Sequence, residues 1–302
     1  MNVSIIIASR NRRDELIKTL DSCLKQDFKN LDIHVVDDNS DDGTYDIIRR
    51  TYPQVNITRN QSNIGSIPSR SLLLARVQSD LIIGLDDDSR FIATDSVGRI
   101  VNRFINEPDI GLIEFQEQGP QFPNTLIPGG LEKGEWHIST FASNRYALRR
   151  SILLKTGGFP DFFFHMYEEP DLAIRIWDAG YRCILWNDIV IWHEYSSMNR
   201  DLARIRYLQT RNEQLSIWMR APLIYLFPIL IRRAIGQIVY SYRSGLTRSA
   251  LLALWHSLFM VKTALKERKP VSKETIRLCL LLNRKKVIDP VEIWNLVKKG
   301  FI

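Results

Sequence analysis

The sequence predicts an α/β fold in which a doubly wound, mostly parallel sheet is followed by a basic α-helical C-terminal region. Short apolar runs of β-forming residues alternate with segments of helical period over residues 3–85. Polar clusters close several of these runs, and beyond Asp201 the pattern changes to long helices with basic residues throughout. The chain has 302 residues, 45% of them hydrophobic and 25% charged, a globular composition that excludes collagen-like, low-complexity and disordered proteins.

Strands are predicted where apolar runs end in polar turns, and helices where apolar residues recur every three or four positions. The predicted strands are Val3–Ala8, Leu31–Val36, Val55–Thr58 and Leu81–Leu85. The predicted helices between them are Arg12–Lys25, Thr44–Thr51 and Ile67–Val77. This alternation indicates βαβ units, whose ligands bind beyond the carboxyl ends of the strands. The polar clusters at residues 8–12, 37–42 and 86–90 lie at those ends, which is the first indication of a functional site.

The following region is less regular. Residues 114–134 are rich in Gly, Pro and Gln, which predicts a loop, and order resumes over residues 141–155. A helix is predicted over residues 168–180, followed by two short strands over residues 181–186 and 190–193.

Cysteine usage and the N-terminus bear on the compartment. Cys23, Cys183 and Cys279 are widely spaced and form no CxxC pair, which predicts neither a disulfide framework nor a cysteine zinc site and fits a reducing compartment. The chain opens on a strand-like VSIII with no basic segment before it, so no signal peptide is expected. No stretch of 18 uncharged apolar residues occurs, so no conventional transmembrane span is expected either.

The net charge of +7 divides unevenly along the chain, at the predicted boundary between two regions. Residues 1–200 carry 22 Lys and Arg against 28 Asp and Glu, whereas residues 201–302 carry 19 against 6. The second region also has short apolar stretches, Pro222–Ile231 and Leu246–Leu265, with aromatic and cationic members. Such stretches are typical of helices that lie on an anionic membrane surface, and equally of a helical subdomain packed on the first region.

Three adjacent carboxylates, Asp86, Asp87 and Asp88, follow the fourth predicted strand. Like charges about 4 Å apart repel by about 4 kcal/mol at an effective dielectric constant near 20, so the triplet favours a bound cation. Mg²⁺ and Mn²⁺ accept oxygen ligands and complete their coordination with substrate phosphates. A solvated acidic turn is the alternative interpretation, and the buried strand that precedes the triplet argues against it.

Further polar residues follow the first and second strands. Asp37 and Asp38 could accept hydrogen bonds from a nucleobase or ribose, or could form a turn or helix cap. Arg10, Arg12 and Arg70 could face a diphosphate, although each could equally be a surface residue.

These motifs, in this order, resemble the family 2 glycosyltransferases of the GT-A fold over about residues 1–200. The resemblance runs through IIIASRNR (5–12), VVDDNSDDGT (35–44), NIG (63–65), Ser69-Arg70 and LDDD (85–88). It continues with GGF (157–159), EEPDL (168–172), Arg175, GYR (180–182) and His193. The C-terminal region is similar to that of rhamnosyltransferase-like members.

The resemblance implies inverting transfer of a sugar from a nucleoside diphosphate to an acceptor hydroxyl. In its terms, Asp38 binds the base and ribose, and the backbone of Ala8 lies against the base. Asp86 and Asp88 form the ends of a DXD motif, with Asp88 the metal ligand and Asp87 a possible substitute. Mn²⁺ or Mg²⁺ would neutralise the diphosphate as it leaves.

The resemblance also implies a general base in the acidic stretch before Arg175. Six residues before Arg175 the family usually has Asp, and here Glu169 occupies that position; the extra methylene mainly changes its reach. Asp171 is the second candidate for the general base, although its spacing to Arg175 matches the family less well. Alternatively, the acidic cluster only caps the helix. His193 is either a metal or diphosphate ligand or a packed histidine.

The sequence thus predicts a metal-dependent glycosyltransferase acting at the cytoplasmic face of the cell membrane in glycan or polysaccharide assembly. Its donor is expected to be a UDP- or dTDP-sugar and its acceptor a glycan or lipid-linked molecule. A catalytically inactive sugar-nucleotide-binding or scaffold protein is the alternative, which the acidic residues at 38, 86–88 and 169 disfavour. Nucleic acid is not expected as a partner, because residues 1–200 are acidic and no nucleic-acid-binding motif accompanies the basic region.

Overall fold

The computed structural model describes residues 1–120, 134–194 and 201–284. The strands within these ranges are β1 Val3–Ser9, β2 Leu31–Asp37, β3 Asn56–Arg59, β4 Leu81–Asp86, β5 Ser89–Phe91, β6 Ile110–Gln118, β7 Glu135–His137, β8 Arg145–Arg149 and β9 Arg182–His193. The helices are α1 Arg13–Leu24, α2 Thr44–Thr51, α3 Ser66–Arg76, α4 Ser96–Asn106, α5 Arg150–Thr156, α6 Glu168–Asp178, α7 Leu202–Arg220, α8 Leu223–Arg243, α9 Thr247–Phe259, α10 Val261–Lys266 and α11 Lys273–Arg284.

The βαβ prediction is confirmed through β4, and the later elements differ from it in two places. Residues 114–118 belong to β6 rather than to a loop, and most of the remaining predicted loop lies outside the described residues. The two strands predicted over residues 181–193 form one strand, β9, whose register against β6 shifts between Phe115 and Gln116.

One sheet organises the molecule, in the order β3-β2-β1-β4-β8-β6-β9-β5, with β7 paired to β9. Its first half, β3 to β4, is parallel, as βαβ units require. The other half is mixed, because β8 runs antiparallel to both β4 and β6 whereas β6 and β9 are parallel. The fold is therefore α/β as predicted, but its sheet is mixed rather than mostly parallel.

Strand register brings the carboxyl ends of β1, β2 and β4 to one edge of the sheet. Ala8 on β1 pairs with Val36 on one side and with Asp86 on the other. The loops that follow β1 and β2 are joined by hydrogen bonds, in which the Asn11 amide donates to Ser40 Oγ and the Asp41 amide donates to Asn11 Oδ1, both at 2.9 Å. The polar clusters of the sequence thus form one edge.

Both faces of the sheet are covered by apolar side chains. One core joins Ile5, Ile7 and Ile83 to α1 and α4, and the other joins Ile6 and Ile82 to α3, α5 and α6. The alternation of Ile5, Ile6 and Ile7 between the two cores reflects the period of two along a strand.

The second core continues into the C-terminal helices. Leu215 and Met219 of α7 and Leu278 of α11 belong to the same buried cluster as Ile6 of the sheet. Residue 200 therefore marks a change in charge and secondary structure, but the hydrophobic core crosses it. Helices α7 and α11 thus pack on the first region, as the helical-subdomain interpretation predicts.

Helices α8 and α9 are different, because each leaves a stripe of large apolar side chains exposed. On α8 and α9 these are Leu223, Ile224, Phe227, Ile231, Ile235, Leu251, Leu252, Trp255, Leu258 and Phe259. Helix α8 continues past the end of the apolar stretch Pro222–Ile231 and runs for 21 residues. By length and composition alone it could cross a membrane, with a mean hydropathy of 1.4 over 18 residues, which corrects the expectation that no segment is long and apolar enough.

A close contact between β4 and β8 gives a test of this packing. Gly84 lies opposite Tyr146, and a methyl group on Gly84 would come within 2.1 Å of the tyrosine ring. We expect Gly84→Ala to lower the free energy of unfolding by about 1–3 kcal/mol, because the fully buried ring has no space to move into. Gly98→Ala is the control, since that position in α4 faces open space and alanine favours helix. Urea unfolding of both variants measures the difference, and equal midpoints would contradict the contact.

Candidate active site

Two distant parts of the chain meet beside the acidic triplet. Asp86 ends β4, and Asp88 lies in the turn to β5, whose Ser89 pairs with His193 at the end of β9. Ligand atoms of Asp86, Asp88 and His193 all lie within 4.8 Å of one another. The structure therefore brings together the three residues predicted to bind a metal.

Arg12 supplies positive charge to the two buried members of the triplet. Its Nη1 lies 3.1 Å from Asp87 Oδ1 and 2.7 Å from Asp88 Oδ2. Burial raises the pKa of Asp87 to about 7 although Arg12 opposes the shift. Burial would also raise the pKa of Asp88, but hydrogen bonding to His193 and the charge of Arg12 hold it below its ordinary value.

Asp87 is turned into the fold. Its Oδ2 accepts a hydrogen bond from Ser9 Oγ at 2.8 Å, and its backbone carbonyl accepts one from Thr19 of α1. These contacts fix the turn between β4 and β5, so Asp87 orients its neighbours and does not reach into the cluster.

His193 is oriented by a carboxylate that sequence reasoning missed. Its Nδ1 lies 2.6 Å from Oε1 of Glu117 on β6, which leaves Nε2 facing Asp88 Oδ1 at 3.3 Å. Burial opposes the charge of the imidazole, but the hydrogen bonds to Asp88 and Glu117 raise the pKa of His193 to about 9. A carboxylate behind a histidine is a common support for a metal ligand, and only the pairing of β6 with β9 reveals it.

The cluster fits a divalent metal by two criteria. Asp88 is buried and its Oδ1 faces His193 Nε2 at 3.3 Å, so a carboxylate oxygen and an imidazole nitrogen lie close enough to share one ion. Two carboxylates and one imidazole form a donor set that Mn²⁺ accepts and that Mg²⁺ can share through the carboxylates.

Asp38 lies beside this cluster at the end of β2. It is buried and accepts hydrogen bonds from Asn60 Nδ2 and the Ile64 amide on Oδ1, and from the Gly65 amide on Oδ2. These bonds fix its carboxylate at the edge of the sheet. Arg10 is exposed just beyond β1, at the rim of the same edge.

Arg70 of α3 connects the acidic triplet to the start of α6. It forms an ion pair with Asp86, lies 3.5 Å from Glu168 Oε1 and donates to Ser143 Oγ at 3.1 Å. Burial disfavours its charge, but Asp86 and Glu168 hold the pKa of Arg70 above its ordinary value. Its charge is thus directed at protein carboxylates, which makes it an internal bridge.

The two candidate bases have different surroundings. Glu169 is partly exposed and lines a large cavity, whereas Asp171 is fully buried. Asp171 accepts hydrogen bonds from Arg175 Nη2 at 2.8 Å, and from Ser216 Oγ and Arg220 Nε at 2.9 Å. Asp171 therefore joins α6 to α7, and the geometry favours Glu169 as the carboxylate that can meet a substrate.

The turn that leads into α6 has unusual backbone geometry. Phe164, Met166 and Tyr167 all have positive φ, of 68°, 72° and 73°. Bulky residues in this region are strained by about 1–3 kcal/mol each and persist only where surrounding contacts hold them. Because Glu168 follows at once, the turn sets the position of the Glu168-Glu169 pair.

Asn212 of α7 holds that turn. It is fully buried, and its Nδ2 lies near three backbone acceptors of the turn. These are the carbonyl oxygens of Phe163 at 3.1 Å, His165 at 2.9 Å and Met166 at 2.7 Å. Sequence reasoning missed Asn212, since nothing in a polar helix marks one amide as a partner for a distant turn.

The fold and this edge of the sheet define the class of protein. A mixed α/β sheet with an acidic cluster at the carboxyl ends of its parallel strands is the GT-A arrangement, and solved structures share the fold. TarS 1-349 from S. aureus in complex with UDP-GlcNAc superposes with a TM-score of 0.65 at 16% identity, covering 100% of this chain and 91% of that one. A mannosyltransferase from Pyrobaculum calidifontis, in complex with GDP-Man and Mn²⁺, gives 0.58 at 20% identity, covering 94% and 87%.

Residues 4–168 match the family model Glycosyl transferase family 2, and the chain belongs to this family. Among curated relatives, a UDP-Glc:alpha-D-GlcNAc-diphosphoundecaprenol beta-1,3-glucosyltransferase (WfaP) from Escherichia coli is 34% identical over 93 residues, which is 30% of this chain and 37% of that protein. The chain spans less than two thirds of the length of the curated relatives that it matches first.

The role of Asn212 can be tested by truncation. We expect Asn212→Ala to lower both stability and turnover, because the carbonyls of His165 and Met166 lose this donor and the turn that positions Glu169 loses its support. An unpaired buried group costs about 1–3 kcal/mol, and a misplacement of about 1 Å can reduce turnover about 100-fold. Thr210→Ala is the matched control, because Thr210 is equally buried on α7 but contacts Gln237 of α8. Unfolding curves and nucleotide release give the comparison, and equal loss of turnover in both variants would contradict a specific role.

Proposed function

We propose that this protein is an inverting, metal-dependent glycosyltransferase that transfers a sugar from a nucleoside diphosphate to an acceptor hydroxyl. The observation that carries the proposal is one connected array, in which the Asp86–Asp88–His193 cluster is linked through Arg70 to Glu168, next to Glu169. A site for the leaving diphosphate and a carboxylate for the incoming hydroxyl are the two parts that such a transfer needs.

The donor would lie along the carboxyl ends of β1, β2 and β4. Asp38 would bind the base and ribose, the backbone of Ala8 would face the base, and Arg10 at the rim would approach the phosphates. A UDP- or dTDP-sugar is the donor we expect. The UDP-GlcNAc and GDP-Man complexes of the structural neighbours support a nucleotide-sugar donor in this fold.

Asp86, Asp88 and His193 Nε2 would hold Mn²⁺ or Mg²⁺. A bound divalent ion would neutralise the negative charge that develops on the diphosphate as the sugar leaves. Arg12 and Glu117 position the ligands, one by its charge beside Asp88 and the other by orienting His193.

Glu169 would act as the general base. Its carboxylate would take the proton of the acceptor hydroxyl while that oxygen attacks the anomeric carbon from the face opposite the diphosphate, which inverts the configuration. Burial and the neighbouring charge of Glu169 raise the pKa of Glu168 well above its ordinary range.

Helices α8 and α9 would place the enzyme on the cytoplasmic face of the membrane, as a peripheral protein. One side of α8 is tied to α7 by polar contacts, from Arg233 to Glu213 and from Gln237 to Glu213. The opposite side carries the exposed apolar stripe. A helix with one polar, protein-bound side and one apolar side favours lying in the interface over crossing the bilayer. Glycan or polysaccharide assembly at this surface is the process we propose.

Removal of the metal gives the first test of this proposal. We expect EDTA to abolish nucleotide release from a UDP- or dTDP-sugar and added Mn²⁺ or Mg²⁺ to restore it. Asp88→Asn should lose Mn²⁺ binding, measured by equilibrium dialysis, because it removes the buried ligand. Asp95→Asn is the control, since that carboxylate lies exposed at the start of α4. Full activity in EDTA would exclude the metal role.

Substitution of the base gives the second test. Glu169→Gln should keep nucleotide affinity and stability but lose about 100- to 10,000-fold in turnover, because only proton removal is lost. Asp171→Asn should instead lower the free energy of unfolding, because Arg175 and Arg220 lose a charged partner. An active Glu169→Gln with a folded, inactive Asp171→Asn would reverse the assignment. Nucleotide binding without turnover in the wild type would favour the inactive scaffold alternative.

Vesicle sedimentation tests the membrane proposal. The protein should sediment with anionic vesicles, bind neutral ones poorly and be partly released by high salt, since salt screens the basic helices. The double variant Trp255→Ser/Phe259→Ser should bind anionic vesicles less while remaining folded, because both side chains are exposed. Leu154→Ser, at an exposed apolar position on α5, is the control. Retention in salt and alkaline carbonate would indicate a spanning α8, and equal recovery with and without lipid would exclude membrane binding.

A further inference from the structure

We propose that the cavity between α6 and the C-terminal helices binds the acceptor, and that the acceptor is a lipid carrying a phosphate group. Arg232 and Arg277 would bind the phosphate, and the apolar chain would leave along α8 toward the membrane. This proposal rests on the glycosyltransferase function above, and deepens it by assigning the acceptor class and two binding residues in helices outside residues 4–168, which the family model matches.

The cavity has the size and position of a substrate site. Its volume is about 900 Å³, and its walls come from α6, α7, α8 and α11. Glu169 lies on its wall, and the adjacent Glu168 contacts Arg70, which contacts Asp86 of the metal cluster. A ligand in the cavity would therefore present a hydroxyl to Glu169 from the side opposite the proposed donor.

The charges that line the cavity favour an anion. Four arginines contribute to its walls, and two of them are already paired, Arg220 with Asp171 and Arg233 with Glu213. Arg232 of α8 and Arg277 of α11 are exposed, and neither forms an ion pair within residues 1–120, 134–194 and 201–284. Two guanidinium groups on the walls of one cavity suit a phosphate, which accepts paired hydrogen bonds from a guanidinium.

The rest of the lining favours an apolar chain attached to that anion. Tyr225, Pro228 and Ile229 of α8 and Ile276 and Leu280 of α11 line the same space. A soluble sugar phosphate would gain nothing from these side chains, whereas each buried methylene of a lipid contributes about 0.8 kcal/mol.

The location of the cavity supplies the remaining argument. Helix α8 forms one wall of the cavity and carries Leu223, Phe227 and Ile231 on its exposed stripe. One helix therefore lines the cavity and carries the surface proposed to meet the bilayer, so a lipid chain could pass along α8 from one to the other. This shared helix favours a membrane lipid over a free phosphate.

Binding of farnesyl diphosphate, measured by calorimetry in EDTA, tests the proposal. EDTA keeps the metal-dependent diphosphate site out of the measurement. Inorganic pyrophosphate should bind at least about 100-fold more weakly, because it lacks the chain, and farnesol should also bind more weakly, because it lacks the phosphate.

Substitution of the two arginines identifies the binding residues. Arg232→Gln/Arg277→Gln should weaken farnesyl diphosphate binding about 100-fold, and Arg232→Lys/Arg277→Lys should retain part of it. Arg248→Gln is the control, because Arg248 is exposed on α9 and does not line the cavity. Both arginines are exposed, so the variants should keep the wild-type circular dichroism spectrum.

Three results would overturn the proposal. If pyrophosphate and farnesyl diphosphate bind with equal affinity, the site recognises an anion and not a lipid. If farnesol binds as well as farnesyl diphosphate, the site does not recognise the phosphate. If the glutamine variant binds the probe as the wild type does, the two arginines are not the binding residues. Metal-dependent release of nucleotide from a donor in water, without any acceptor, tests the glycosyltransferase function separately. A failure of the lipid proposal is thereby distinguished from a failure of the enzyme proposal.

Discussion

Three consecutive aspartates at the end of β4 concentrate negative charge at a largely buried edge, and the architecture around them supplies cations from distant elements. Arg12, which lies just before α1, contacts Asp87 and Asp88, and Arg70 of α3 contacts Asp86. His193 arrives at the end of β9. At separations of about 4 Å each uncompensated pair of like charges would cost about 4 kcal/mol, so these contacts are a condition of the fold as well as of the site.

The contact between His193 and Asp88 depends on the mixed half of the sheet. His193 reaches Asp88 only because β9 pairs with β5 on one side and with β6 on the other. The same pairing places Glu117 of β6 behind the imidazole. The parallel half of the sheet supplies the carboxylates, and the mixed half supplies the third member of the cluster with its support.

The C-terminal helices have two separate relations to this site. Helix α7 is part of the folded core, since Asn212 holds the turn before Glu168, and Ser216 and Arg220 meet the buried Asp171. Helices α8 and α9 carry an apolar outer surface, and α8 also lines the cavity at Glu169. A basic region that first suggests an appendage therefore both completes the catalytic body and joins it to the surface on which its acceptor would lie.

The sequence by itself determined the βαβ order through β4 and the polar edge at residues 8–12, 37–42 and 86–90. Its resemblance to the family predicted Asp86 and Asp88 as metal ligands and left His193 either as a metal or diphosphate ligand or as a packed histidine. These features depend on local patterns, apolar period and turn residues, and on motifs whose order a single chain displays. Only the tertiary structure decided that Asp171 is a buried ion-pair partner while Glu169 faces a cavity. Residues two positions apart on a helix point to different sides, so one can face the core while the other faces solvent. The tertiary structure also placed Glu117 behind His193, Asn212 against the turn before Glu168, and Arg232 and Arg277 on the cavity wall. Each position depends on an element remote in sequence, and a charge or an amide alone does not specify which element will pack against it.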